Sequence, residues 1–235
     1  MVDMDGIGER LAAVRGRIER AASAAGRHPD EIRIIAVTKT HPVAVAQAAV
    51  TLGLDDLGEN RVDELALKHA DVAARWHLIG QLQRNKVRDV VGRVHLIHSV
   101  DRAPLVDAIG RHAVAHGLVQ DVLVQVNVGD DPAKAGCRLA DAAELVSYAG
   151  ATPGVRVVGL MTVPPLPPDG VDPGTAARPH FRRLREARDG LRERHPDVQE
   201  LSMGMSDDLE SAVEEGATMV RIGSALFGAR GEVRI

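Results

Sequence analysis

The chain has 235 residues, room for one large domain or two small ones, and its 45% hydrophobic content supports a sizeable core. Aromatic residues make up only 2%, so that core is built from Ala, Val, Leu and Ile. A net charge of −4 argues against nucleic-acid or membrane-surface binding driven by bulk charge, and the lone Cys137 excludes an internal disulfide and a Cys-rich metal site.

The N-terminal stretch Met1–Asp5 is acidic and mixed, with no signal-peptide core, and no apolar run reaches membrane-spanning length; with one cysteine, a cytoplasmic location is expected. Ile7, Leu11, Val14 and Ile18 recur at helical spacing, which predicts an N-terminal helix ending near Gly26. Ile32–Lys39 is apolar and β-branched and reads as a buried strand; Pro42 then opens a helix over Val43–Leu52 that stops at Gly53. Further strands are predicted at Asp55–Gly58, Trp76–Gly80, Val94–Val100, Asp121–Val128, Val155–Thr162, Glu200–Ser206 and Met219–Gly223. Helical faces fall between them: Val62, Leu65, His69 and Val72; Leu105, Ile109 and Ala113; Leu139, Ala143, Val146 and Ala149; Phe181, Leu184 and Leu191; Leu209, Ala212 and Val213.

Eight strands alternating with helices imply right-handed βαβ units, and eight in a chain of about this size define a single (β/α)8 TIM barrel with an extra N-terminal helix, one domain over residues 1–235. A doubly wound sheet fits less well, because no Gly-x-Gly-x-x-Gly follows the first strand. Pro164–Gly170, after the sixth strand, reads as a solvated proline-rich loop, with a lid as the alternative.

Sites in such barrels lie at the C-terminal strand ends. The first strand ends in Lys39; partial desolvation there would favour the neutral, nucleophilic amine, whereas a lysine snorkelling into solvent is the simpler reading of Lys39 alone. The last two strands shift the balance. Ser206 precedes Asp207 and Glu210, which have capping-box spacing, and Gly223-Ser224 follows the eighth strand, so both ends suit a phosphate. Gly223 to Gly228 has Walker spacing, but Ala229 and Arg230 stand where Lys and Ser/Thr belong, which disfavours a nucleoside triphosphate. Arg221 lies within an apolar strand and needs a partner: the nitrogen of a pyridine ring in the barrel mouth, or an acid such as Glu59. His77 and Asn60 are further strand-end candidates, each with an ordinary structural reading: a hydrogen-bonded core histidine and a helix-start asparagine. The histidines show no metal-like spacing, so no metal is expected. Arg84–Arg88 and Arg178–Arg188 are basic runs, the second reading as a solvated helix face opposite Phe181, Leu184 and Leu191; with net negative charge and no aromatic interleaving, nucleic-acid binding is not expected.

Ala36-Val37-Thr38-Lys39-Thr40, Gly58-Glu59-Asn60, Trp76–Gly80, Leu82–Lys86, Ile97–Asp101, Gly159–Thr162, Leu201–Asp208 and Val220–Ser224 occur in this order. With them the chain resembles the pyridoxal phosphate homeostasis proteins, PLP-binding proteins of the alanine racemase N-terminal-domain type; it departs locally at Gln81 and Arg84. The resemblance implies a PLP fold-type III-like barrel holding this vitamin B6 cofactor, pyridoxal 5'-phosphate (PLP), as a Schiff base on Lys39. It implies Arg221 at the pyridine nitrogen, Ser206, Gly223 and Ser224 at the phosphate, and Asn60, His77 and Ser202 around the pocket. It also implies a role in intracellular PLP homeostasis, by buffering or by delivery to PLP-dependent apoenzymes. An amino-acid racemase of the same fold is one alternative. Two-base racemisation needs a second acid/base, which such racemases supply as a tyrosine from a C-terminal β domain. The sequence stops at Ile235, soon after the eighth strand, and its one tyrosine, Tyr148, falls in a helix, so weak side activity at most is expected. A PLP-free Schiff-base barrel enzyme acting on a phosphorylated sugar is the other alternative. With no long exposed apolar stripe, a monomer is expected.

Overall fold

In the computed structural model, which describes residues 2–228, eight parallel strands close into a barrel. They are β1 (Arg33–Val37), β2 (Asp56–Glu59), β3 (Arg75–Leu78), β4 (Leu96–Val100), β5 (Gln120–Asn127), β7 (Val155–Met161), β8 (Glu200–Ser202) and β9 (Met219–Ile222). A two-residue strand, β6 (Cys137–Arg138), adds to the end of β5 outside the ring. Each barrel strand pairs with its sequence neighbour, and β1 pairs with β9 to close the cylinder. The seventh and eighth predicted strands are therefore β8 and β9.

The predicted N-terminal helix is α1 (Met4–Ala24), capped by Asp3, whose carboxylate accepts from the Gly6 amide at 2.9 Å. Its apolar stripe Ile7, Leu11, Val14 and Ile18 is buried, and the helix packs on α7 (Leu209–Glu214) and α8 (Ser224–Phe227). Around the barrel lie α2 (Val43–Thr51), α3 (Val62–His69), α4 (Ala103–Ala115), α5 (Ala142–Ala151) and α6 (Pro173–Leu191). Between β3 and β4 the chain makes a 3-10 helix, Arg84–Asp89, in place of an α-helix, yet still buries Val87, Val90 and Val91.

Two expectations need correction. The face predicted at Leu139, Ala143, Val146 and Ala149 shifts in phase: a 3-10 turn at Leu139–Asp141 precedes α5, so Ala142, Leu145, Val146 and Ala149 are buried and Ala143 is exposed. The seventh strand stops at Ser202 rather than Ser206, because the chain leaves the sheet and Met205 N donates to the Asp208 carboxylate.

The larger apolar core lies between strands and helices. A separate cluster, Ile35, Leu96, Leu123, Met161 and Met219, plugs the barrel interior. Gly58 is required in this packing, since a Cβ there would lie 2.9 Å from Ile35 Cγ2. Also buried are Asp56, His77, His98, Ser202 and Arg221, charged or polar side chains that must find partners.

Candidate functional site

Lys39 sits in a turn just past β1 and is exposed, with no hydrogen-bond or ion-pair partner among the described residues. Desolvation by surrounding protein is thus not what distinguishes it. The turn is rigidly held: Thr40 adopts a left-handed φ of 66°, His41 N donates to Thr38 O at 3.1 Å, and two α3 side chains clamp it. Glu64 accepts from Thr40 N at 2.8 Å, and Lys68 Nζ donates to Thr38 O at 2.7 Å. Glu64 and Lys68 lie four apart, on one face of the helix.

Lys68 is itself buried and donates to Glu59 Oε1 at 2.6 Å, which also accepts from the Thr38 hydroxyl at 2.6 Å. Burial pushes the Glu59 carboxyl up despite both hydrogen bonds, and its other oxygen, Oε2, has no partner. The acid considered as a partner for Arg221 is therefore committed to Lys68.

Arg221, 5% exposed, donates through Nη1 to Ser202 Oγ at 2.7 Å and through Nη2 to Thr162 O at 2.8 Å. Those are two of the five N–H donors of a guanidinium; no carboxylate bonds to it among the described residues, and Asp208 acts on it through its charge alone. Burial lowers its pKa to about 10, so it stays cationic at neutral pH.

Ser206 and Ser224 meet where the loops after β8 and β9 converge. Ser224 Oγ lies 3.1 Å from Ser206 Oγ, and Ala225 N donates to Ser206 Oγ at 3.2 Å. Gly223 caps the short helix that carries Ser224. The expected Asp207–Glu210 capping box does not form. The helix starts one residue later, with Asp208 as its N-cap, and Glu210 is bound by Arg17 at 2.6 Å. Ala229 and Arg230 lie outside the described residues.

Asn60 is half-buried just after β2, where Gly80 passes so closely that a Cβ on it would fall 2.1 Å from Asn60 O. His77 is fully buried and reaches Arg221 only through His98 and Ser202: His77 Nδ1 to His98 Nε2 is 2.9 Å, and His98 Nδ1 to Ser202 Oγ is 2.9 Å. Its other nitrogen meets Asp56 at 2.9 Å. Sequence reasoning missed His98, Asp56, Glu64 and Lys68. Alternation with Leu96 placed His98 on the inner face of β4, and the Glu64/Lys68 spacing was legible on α3, but neither pattern names a partner.

The second basic run is not a free patch. Arg178 pairs with Glu214, Arg182 with Glu215 at 2.7 Å and Arg185 with Glu215 at 2.9 Å, tying α6 to the end of α7.

A clamped, exposed lysine, a buried arginine with spare donors and a serine pair, all at C-terminal strand ends, define a barrel equipped to hold a phosphorylated carbonyl compound. The family model for the alanine racemase N-terminal domain matches residues 10–231. A pyridoxal phosphate homeostasis protein of Aquifex aeolicus is 46% identical over 94% of this chain and 97% of its own length. One of Escherichia coli is 37% identical, with 97% and 98% covered. The structure of PipY from Synechococcus elongatus with PLP bound superposes with a TM-score of 0.81 at 35% identity, covering 94% of this chain and all (100%) of that one. The chain belongs to the pyridoxal phosphate homeostasis proteins, within the alanine racemase N-terminal-domain family.

Proposed function

We propose that this barrel binds pyridoxal 5'-phosphate on Lys39 as a Schiff base and serves to buffer or deliver the cofactor, without robust catalysis. The observation that carries the reading is that a lysine on a braced turn and an arginine with spare donors share one barrel end, neither bonded to a carboxylate among the described residues. Bound PLP would supply an aldehyde, and Lys39 would hold it as a Schiff base with loss of water. Arg221 would offer a spare N–H to the pyridine nitrogen and, being a donor only, would leave that nitrogen unprotonated. The Ser206 and Ser224 hydroxyls, with the Gly223 backbone, would hold the phosphate, and Asn60 would stand at the pocket wall; Ser202, expected there too, is buried and would act through Arg221. His77 acts from beneath rather than by touching the ring. The PLP bound by the Synechococcus relative supports the same ligand here.

Against the racemase reading, the one tyrosine of the sequence, Tyr148, lies on α5, outside the barrel, and donates to Asp107 at 2.6 Å. A PLP-free Schiff-base enzyme is the other reading to be tested, and no observation here favours it. No described helix is long and apolar enough to cross a membrane; monomeric state, PLP-dependent apoenzymes as recipients and a one-domain chain complete the proposal.

Borohydride reduction of PLP-loaded protein followed by peptide mass mapping places the pyridoxyl label on Lys39, and Lys39→Ala loses the visible absorbance band. A label on any other lysine, or a wild-type protein that stays colourless with PLP, refutes the proposal. Rapid turnover of an L-amino acid panel refutes the non-catalytic part alone.

A further inference from the structure

Arg221, Ser202, His98, His77 and Asp56 form an unbroken chain of hydrogen bonds inside the barrel, with links of 2.7, 2.9, 2.9 and 2.9 Å. Arg75, reaching in from the opposite mouth, closes the far end on Asp56 with bonds of 2.9 and 2.6 Å. The middle of the chain is sealed: His77, His98 and Ser202 are each 0% exposed.

With both rings neutral, the two ends set its direction. Arg221 can only donate, so Ser202 Oγ accepts from it, and with His98 Nδ1 unprotonated the serine's single proton goes there. His98 then carries its proton on Nε2 and donates to His77 Nδ1. His77 in turn carries its proton on Nε2 and donates to Asp56. An ionised carboxylate can only accept, so the line ends there. In that arrangement every link has one donor and one acceptor.

We infer that Asp56, His77, His98 and Ser202 are positioning residues that fix Arg221 through one directional line spanning the barrel. The line solves a specific problem. An arginine paired directly with a carboxylate would spend its fork and its charge on that partner. Here no carboxylate bonds to Arg221: Asp208 acts on it only through its charge, and Asp56 ends the line three side chains away, so Arg221 is oriented yet keeps donors and positive charge for the mouth. This deepens the proposed function and rests on it wherever the ring nitrogen is concerned; the existence of the line does not.

The environment supports neutral rings. His77 faces Asp56 from β2, His98 from β4, His95 just before β4 (ring centroids 5.6 Å apart) and Arg33 of β1; His98 faces His77, His95, Arg33 and Arg221. Burial above all, with the charges of Arg221 and Arg33 adding to it, pushes His98 well below the ordinary histidine range, and burial lowers His77 against the pull of Asp56.

The test has two arms. Long-range proton–nitrogen spectra of ligand-free, 15N-labelled wild-type protein show both rings as neutral Nε2–H tautomers from pH 8 to pH 5.5. A Nδ1–H tautomer in either ring, or titration near pH 6.5, overturns the line without reference to PLP. In the second arm, PLP dissociation constants are measured by visible absorbance. Ser202→Ala weakens binding about tenfold and Asp56→Asn several-fold, scaled on about 1.4 kcal/mol for one oriented hydrogen bond, while Ser202→Thr stays within about twofold of wild type. Equal affinity in all three overturns the positioning role and leaves the proposed function standing. Absence of PLP binding by the wild type overturns the proposed function, and the role toward the ring with it, while the first arm still decides whether the line exists.

Discussion

Lys68→Met isolates the most exposed assumption about the Lys39 turn: that a buried ion pair braces it. Glu59 is 0% exposed, and its carboxylate has only Lys68 Nζ at 2.6 Å and the Thr38 hydroxyl at 2.6 Å for support. Methionine keeps the volume and removes the charge, which leaves Glu59 to protonate or stay ionised among apolar neighbours. Losing one partner of such a pair costs about 3–5 kcal/mol if the other stays charged. Protonation sets a ceiling: holding a carboxyl of unfolded pKa near 4.3 neutral costs about 3.7 kcal/mol at pH 7 and about 1 kcal/mol at pH 5. The sign follows from Glu59 having a raised folded pKa. Between the unfolded and folded values the native state holds the extra proton, so stability falls as pH rises through that window and levels off above the folded value. Urea unfolding of the ligand-free protein, followed by the fluorescence of the single, buried Trp76, reads this directly. Lys68→Met is expected near wild type at pH 5 and several kcal/mol less stable at pH 7 to 8, whereas Glu59→Gln/Lys68→Met loses the pH dependence. A penalty that is small at pH 8, or unchanged between pH 5 and 8, refutes the reasoning.

Wild-type stability should fall as pH drops below about 6.5, because His77 and His98 are buried with lowered pKa values and the unfolded chain takes up protons the native state refuses. By pH 5.5 each fully neutral ring costs about 1.4 kcal/mol, measurable as a shift in urea midpoint, and a midpoint that does not move contradicts their burial as neutral groups. Gly80→Ala drives a Cβ into Asn60 O and is expected to destabilise by about 1–3 kcal/mol and to weaken PLP binding. Gly150→Ala on the open face of α5, with nothing within 4 Å, should be neutral or stabilising by up to about 1 kcal/mol; equal effects at the two sites would undo the packing claim. Burial, followed by Asp101 and Asp141, pushes the Cys137 thiol up to about 12, so it should react with a disulfide reagent at pH 8 far more slowly than free cysteine.

What the sequence disclosed and what it hid divide along a physical line. Periodicity reports which face of an element is apolar, so the barrel and its N-terminal helix were legible, and so was the odd presence of Arg221 in an apolar strand. Periodicity does not report who stands opposite. His77 and His98 come from adjacent strands, but Ser202 is 104 residues from His98 in sequence and meets it only because the cylinder closes. The tempting nearby acid, Glu59, points to the outer side of its strand and is taken by Lys68 of α3, so the partner of Arg221 could not be guessed from proximity in sequence. The reading of Lys39 changed for the same reason. Of desolvation and solvent exposure, the two readings of Lys39, the structure bears out exposure, and what sets the lysine apart is a turn pinned by Glu64 and Lys68 from one helix face. A strained, braced backbone holds an amine in place while leaving it open to solvent. That suits a lysine whose task is to take up an aldehyde and let it go, and it suits less well a base that must be shielded to move protons on a substrate.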